Sequence, residues 1–251
     1  MDLSNLNVKA EKEEDILGGS VGPLPSNIYR AQVNVSYLEE TKSGALMAHI
    51  HFKLSNGSQF RTSQCLHSGK AKKYSATYTR NGKTFKLPGL VNVSAICELG
   101  GKLDISKMST TKKTIKLYNF ESRKEEPTEV NMLMDMIGLK VQLGLANEIQ
   151  DINEKDAQGN YTPSGYTREV NELSKVFRYD DGKTSSEVTA DKPAEFIKKW
   201  LDKNENKVMD RSKAKKGHIP KPKKAATKDV FAESIDKGDS LNDEDLAFLN
   251  D

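Results

Sequence analysis

Alternation of apolar and polar side chains between residues 29 and 54 constrains the fold more than any other feature. Apolar residues take every second position in two runs: Tyr29, Ala31, Val33, Val35 and Tyr37, then Leu46, Ala48, Ile50, Phe52 and Leu54. Gly44 lies between the runs, Asn56-Gly57 ends the second, and a weaker third run covers 60–66. A period of two with glycine-containing turns is typical of antiparallel strands that expose one face of the sheet to solvent. The segment therefore predicts a three-stranded meander.

The remaining elements are shorter. Asn81-Gly82 predicts a hairpin turn between Tyr78 and Phe85. Three helical segments are predicted: one from Pro88 that Gly100-Gly101 ends, one from Pro127 to Met136, and one from Pro193 through Trp200 to Val208. Two further strands are predicted over 114–120 and 139–145, and a late hairpin joins 170–179 to 184–189. Residues 151–167 are predicted to be a loop. We expect a mainly β (α+β) fold, an OB-like antiparallel five-stranded barrel with helical insertions.

Charge is strongly segregated along the chain. Residues 229–251 contain eight acidic residues and one lysine, a net charge of −7, so the other 228 residues carry +10 in a chain of net charge +3. Basic residues without any acid occupy 211–228. We predict a flexible arm (1–20), a folded body (21–210), a basic linker (211–228) and a disordered acidic interaction tail (229–251). An ordinary disordered C-terminus with incidental charge is the alternative.

Composition excludes several classes. Two cysteines without CxxC spacing cannot form a disulfide framework, and no apolar run is long enough to span a membrane. The polar, acidic N-terminus is not typical of a signal peptide, so we expect a cytoplasmic protein. Cys65, His67, Cys97, His49 and His51 lack the paired spacing of a zinc site, and we expect neither metal nor cofactor. Catalytic motifs are absent, so we expect no enzyme activity.

Residues 70–86 combine the two ingredients of single-strand binding, cations for phosphates and aromatic rings for bases. The segment contains no acidic residue. Its candidate binding residues are Lys70, Lys72, Lys73, Tyr74, Tyr78, Arg80, Lys83, Phe85 and Lys86. The alternative is a solvated loop whose aromatic rings pack onto the core.

A second basic stretch covers the predicted fourth strand. Its candidate residues are Lys112, Lys113, Lys116 and Tyr118. Alternation places Tyr118 and Phe120 on one face and Ile115 and Leu117 on the other, as in a stacking platform beside an aliphatic face. A strand with both faces partly buried is equally compatible.

The acidic tail ends in apolar residues that could fill a pocket on a basic partner. Its candidate partner-binding residues are Asp243, Glu244, Asp245, Leu246, Phe248 and Leu249. Such an acidic-hydrophobic peptide is a docking motif in physical terms. A purely solubilising tail is the alternative.

A basic OB-like body with an acidic tail that contains an aromatic residue resembles the single-stranded DNA-binding proteins of bacteria and, more closely, of lytic bacteriophages. The segments Ile28–Val33, Lys42–Gly44 and Leu46–Phe52 look like the start of such phage proteins. The resemblance implies a core that coats single-stranded DNA during replication, recombination and repair. It also implies a tail that recruits partner enzymes such as a polymerase, helicase, primase or RNA polymerase.

The sequence leaves several alternatives open. The basic face could instead meet an acidic protein, in a non-catalytic viral interaction or assembly factor. A nuclease with a divalent site is a third possibility, although its motif is absent. DNA and RNA are not distinguished, because a contact to a 2′-hydroxyl leaves no readable pattern. A monomer or dimer is as compatible with the sequence as a tetramer.

Overall fold

A computed structural model describes residues 22–119, 122–155, 161–213 and 219–220. Within them the fold is mainly β, with one nine-stranded sheet, a separate two-stranded sheet and three α-helices. The strands are β1 (Asn27–Glu40), β2 (Leu46–Leu54), β3 (Gln59–His67), β4 (Thr77–Arg80), β5 (Lys83–Lys86), β6 (Thr111–Asn119), β7 (Lys124–Met132), β8 (Lys140–Lys155), β9 (Tyr161–Arg178), β10 (Val208–Asp210) and β11 (Ile219–Pro220). The helices are α1 (Pro88–Gly101), α2 (Ser185–Thr189) and α3 (Phe196–Asn204).

Strand β1 organises the sheet because three other strands pair with it. One edge pairs antiparallel with β2. The other edge is shared, since Asn27–Gln32 pair with β8 and Tyr37–Leu38 pair with β7. The predicted meander β1–β2–β3 is confirmed, with β3 pairing antiparallel with β2.

A β-bulge between Val33 and Val35 changes which side chains of β1 face the core. Before the bulge Ala31 and Val33 are buried in the main core. After it Ser36 is fully buried, while Tyr37 joins a second, smaller cluster with Val130 and Met132. The extra residue thus turns one strand between two apolar clusters, as bulges do.

Helix α1 covers the main core and contacts β3 closely. Val93 and Ile96 are fully buried in that core. At Gly89 an added Cβ would lie 2.5 Å from both the backbone N and O of Cys65, so only glycine allows this approach. The helix begins at Pro88 as predicted but continues through Gly100-Gly101, and Lys102 takes the left-handed cap position at φ 56°.

Glu187 joins the short helices α2 and α3. The Thr184 side chain and the Glu187 side chain form a reciprocal capping box at the start of α2. Glu187 Oε1 also accepts hydrogen bonds from the backbone N–H groups of Glu195 and Phe196, at 3.0 and 2.8 Å. Trp200 of α3 is buried against β8 at Gly144, and its indole N–H donates to Ser174 Oγ at 3.1 Å.

The chain divides into two units, Met1–Ile149 with Glu169–Asp210, and Gln150–Arg168 with Arg211–Asp251. The meander, the bulge in β1 and helices α1, α2 and α3 belong to the first unit, whereas β8 and β9 each have residues in both units. In the described part of the second unit, β11 pairs parallel with β9, and Lys213 N–H donates to the Asp151 carboxylate at 2.8 Å. The predicted arm (1–20), most of the linker (211–228) and the tail (229–251) lie outside the described residues.

One part of the predicted fold is not confirmed, and one predicted helix is wrong. The five-stranded OB-like barrel is not confirmed, because the sheet has nine described strands and its path ends at β3, which pairs only with β2 among them. Pro127 lies inside strand β7 rather than opening a helix; it pairs with Lys116 of β6, and only Met134–Met136 form a 3₁₀ turn. Proline is tolerated on a strand where its missing N–H is not needed for pairing.

Two further corrections concern the later half of the chain. Residues 151–167 were expected to be a loop, yet β8 continues to Lys155 and β9 begins at Tyr161, because paired partners override weak local patterns. Residues 184–189, predicted as a strand, contain α2 instead, because the Thr184–Glu187 capping box starts a helix at Ser185. The helix predicted from Pro193 begins at Phe196, and Val208 belongs to β10, which pairs parallel with β8.

Candidate nucleic-acid interface

The loop that carries the first three candidate lysines is anchored on the turn between β1 and β2. Lys70 N–H donates to the backbone oxygen of Ser43 at 2.9 Å. Gly69 packs so closely there that an added Cβ would lie 2.2 Å from the same oxygen. Tyr74 follows in a left-handed conformation (φ 54°), with its ring 5.9 Å from that of His67. Lys70, Lys72 and Lys73 are thus exposed on an anchored turn.

The predicted hairpin β4–β5 is confirmed and places two aromatic rings side by side. Asn81 and Gly82 both have positive φ, 51° and 72°, as a type I′ turn requires. Tyr78 is directly opposite Phe85, and their ring centroids are 5.6 Å apart. The side chains remain 40% and 43% exposed, so the rings are available to stack against bases.

The same face of the hairpin carries two cations. Arg80 is opposite Lys83, and strand alternation puts both on the side of Tyr78 and Phe85. Lys86 lies on the other side, together with Thr77, Thr79 and Thr84. None of the basic residues from 70 to 86 forms an ion pair with a described residue. Because like charges opposite each other repel, a bound anion would stabilise Arg80 and Lys83.

The second basic stretch is partly neutralised by its own partner strand. Lys112, Lys116 and Tyr118 share one face of β6, and Lys113 lies on the other face with the half-buried Ile115 and Leu117. Strand β7 contributes Glu125, Glu126 and Glu129 to the same hairpin, and Lys112 Nζ lies 2.8 Å from Glu129 Oε1. Phe120 lies outside the described residues. The β6–β7 strands therefore carry a smaller net positive charge than the β4–β5 strands, which contain no acidic residue.

Sequence reasoning missed a cationic cavity of about 370 Å³ on the first unit. Its walls contain no acidic residue. The lining residues are Arg30, Ala31, Gln32, Lys53, Leu54, Ser55, Gly57, Lys140 and Tyr179. Arg30, Gln32 and Lys53 occupy polar positions of the strand alternation, so that signal was present. The position of Lys140 and Tyr179 beside them depends on strand pairing at long sequence separation.

A polar cluster occupies the face of β2 and β3 that is turned away from the main core. The His49 ring stacks on Tyr37 at 4.8 Å, with its Nε2 2.9 Å from Glu39 Oε2 and its Nδ1 2.8 Å from Ser63 Oγ. Burial, together with the charges of Arg61 and His49, lowers the pKa of His51 to about 4. His51 is therefore neutral at pH 7 and adds no charge to this face.

The cysteines and their neighbours do not form a ligand set. Cys65 Sγ donates to the His67 backbone oxygen at 3.4 Å. Burial raises the pKa of the Cys97 thiol to about 11, which favours the protonated form over the thiolate that metals bind. Within the described ranges, no group of three or more His, Cys, Asp or Glu side chains is arranged to hold a metal ion. No described helix is long and apolar enough to cross a membrane.

The tail residues predicted to bind a partner, from Asp243 to Leu249, lie outside the described residues. Comparison of the chain with protein-family models finds no matching family, and a search of curated proteins finds no match.

Proposed function

We propose that this protein binds single-stranded DNA, with the anchored loop and the β4–β5 hairpin as its main contact. The observation that carries the proposal is the shared face of Tyr78, Arg80, Lys83 and Phe85. On this face exposed rings lie next to cations without ion pairs, which is the combination that single strands require. The protein is proposed to be non-catalytic.

Binding would use stacking and phosphate neutralisation together. Bases stack on Tyr78 and Phe85, and Tyr74 is a further platform on the neighbouring loop. Phosphates contact Arg80 and Lys83, with the loop lysines extending the path. The affinity therefore depends on salt through counterion release. Sequence preference is proposed to be slight, because stacking on aromatic rings accepts every base.

The proposal extends to the body and the tail. A meander followed by a helix and further strands is the element order of an OB-fold, and we propose an elaborated OB-like core. Residues 236–251 would recruit replication and recombination proteins, in the cytoplasm of a host cell if the protein is viral. The segregated charge and the apolar Leu246, Phe248 and Leu249 support this role.

A double variant, Tyr78→Ala with Phe85→Ala, tests the hairpin. We expect at least about a tenfold loss of affinity for a mixed-sequence single strand, since each stacked base contributes about 1–3 kcal/mol. The measurement is fluorescence anisotropy of a labelled oligonucleotide at several salt concentrations, with the corresponding duplex in parallel. Thr79→Ala with Thr84→Ala changes the opposite face of the same hairpin and is the matched control.

Two results would contradict the proposal. If the wild type binds single strand and duplex with equal affinity, the proposed single-strand function is wrong. If it binds neither, the basic face is expected to bind an acidic protein partner instead. Unchanged binding by the aromatic double variant, with intact secondary structure by circular dichroism, would remove the hairpin as the contact.

A further inference from the structure

The cationic cavity is built on three neighbouring strands. In the pairing register Gln32 of β1 is opposite both Lys53 of β2 and Lys140 of β8. The three side chains therefore form a row across the sheet, with the two lysines on either side of a neutral amide. Arg30 lies two positions from Gln32 and so projects from the same face. Since neighbouring strands are about 4.8 Å apart, the two lysines lie about 10 Å apart at their backbones.

Contacts with neighbouring residues fix the position of Arg30, the third cation of the cavity. The Arg30 guanidinium lies over the Tyr179 ring, 5.1 Å from its centroid. Gln142 holds the chain on this side, because its amide donates to the backbone oxygens of Arg178 and Tyr179 at 3.3 and 2.9 Å. Ser55 N–H donates to the backbone oxygen of Arg30 at 2.9 Å, which fixes the other side of the cavity.

These cations lack an acidic partner within the protein as described. Arg30, Lys53 and Lys140 form no ion pair with a described residue, and no acid lines the cavity. Three exposed positive charges around one concavity repel one another and attract an anion. The amide of Gln32 and the hydroxyl of Ser55 can donate further hydrogen bonds to its oxygens.

We propose that this cavity is a second nucleic-acid contact, in which Arg30, Lys53 and Lys140 bind phosphates of single-stranded DNA. The proposal rests on the proposed function, since it takes the phosphates to belong to single-stranded DNA. It adds three cations on strands of the main sheet to a site otherwise confined to a loop and a hairpin. A free nucleotide presents the same phosphate chemistry, and the experiment separates the two sources.

The triple variant Arg30→Gln, Lys53→Gln, Lys140→Gln tests this contact. Log K falls with log salt, and each lost phosphate contact makes this negative slope shallower by about 0.7 for a single strand. We therefore expect the magnitude of the slope to decrease by about 2. The control Lys192→Gln, Lys198→Gln, Lys203→Gln removes the same charge from exposed positions around α3. We expect the control to retain a slope near that of the wild type. Replacement by the other basic residue, Arg30→Lys, Lys53→Arg and Lys140→Arg, should restore the slope.

The outcomes separate this contact from the hairpin. A cavity variant with the slope of its charge-matched control would overturn the second contact and leave the hairpin proposal intact. If the cavity variant binds the single strand more weakly while the Tyr78/Phe85 variant binds it as the wild type does, the cavity contact is supported and the hairpin contact is overturned. Calorimetric titration with a deoxynucleoside monophosphate tests whether the cavity binds a free nucleotide. If the wild type binds the mononucleotide at the cavity but no single strand, both nucleic-acid proposals are wrong and the cavity is a nucleotide site.

Discussion

At the scale of single residues, His51 links the sheet face to pH. Burial and the neighbouring charges of Arg61 and His49 lower its pKa from 6.5 to about 4. The unfolded chain therefore binds more protons than the folded chain between these values, so stability falls as pH decreases from about 6.5 towards 4. By linkage the full loss amounts to at most roughly 3 kcal/mol.

Replacement of His51 should remove this pH dependence. We expect His51→Gln to show a flatter dependence of the free energy of unfolding on pH than the wild type between pH 6.5 and 4.5. Carboxylates whose pKa is lowered in the fold, such as Asp181 at about 2, act mainly below that window. Urea unfolding at a series of pH values measures the effect, with His67→Gln as the control. A His51→Gln variant with the wild-type slope would refute the assignment.

Residues of the candidate site differ in how far the sequence predicts them. Asn81-Gly82 fixes the register of its hairpin, so the pairing of Tyr78 with Phe85 follows from local turn chemistry. Lys53 and Lys140 become neighbours only through β1, and no local pattern contains a pairing between strands so far apart in sequence. The sequence also gives the charge of Lys112 but not its ion pair with Glu129.

At the scale of elements, the close contact of α1 with β3 makes a sharp stability prediction. Gly89→Ala places a methyl group 2.5 Å from backbone atoms of Cys65, so the helix or the strand must shift. We expect a loss of about 1–3 kcal/mol, the usual cost of overpacking. Thermal unfolding measures it, and Val91→Ala, at a position 44% exposed on the same helix, is the control. A Gly89→Ala variant as stable as this control would show that the contact tolerates a side chain.

Elements with strong internal periodicity were predicted well, and elements defined by their partners were not. The meander, the β4–β5 hairpin and α1 each have a pattern or turn that acts locally. Strand β7 contains Pro127 and three glutamates, and its strand conformation comes from pairing with β6 and β1. The Thr184–Glu187 box was a local helix signal that the sequence analysis overlooked.

At the scale of the whole molecule, segregated charge predicts the effect of the tail on DNA binding. Deletion of 229–251 removes a net charge of −7 and raises the net charge from +3 to +10. A more positive protein attracts a polyanion more strongly, so we expect tighter binding to single strands at low salt. Anisotropy titrations of the truncated and full-length chains measure this change.

The tail's charge and its apolar end can be separated by two controls. A full-length chain with amides in place of the eight tail acids should bind DNA as the truncated chain does. Phe248→Ala should leave DNA binding unchanged and weaken recruitment of a partner enzyme. A truncated protein that loses DNA affinity would contradict both roles of the tail.

The shared edge of β1 has a consequence for synthesis on the ribosome. Strand β1 is among the first parts of the body to emerge, but the strand that pairs with its first half begins only at Lys140. Until then a nascent meander exposes an unpaired, apolar β1 edge, which is the kind of template that drives strand-to-strand aggregation. Chains that terminate before β8 should therefore be insoluble or rapidly degraded, even though they contain the complete β1–β2–β3 meander and the whole β4–β5 hairpin.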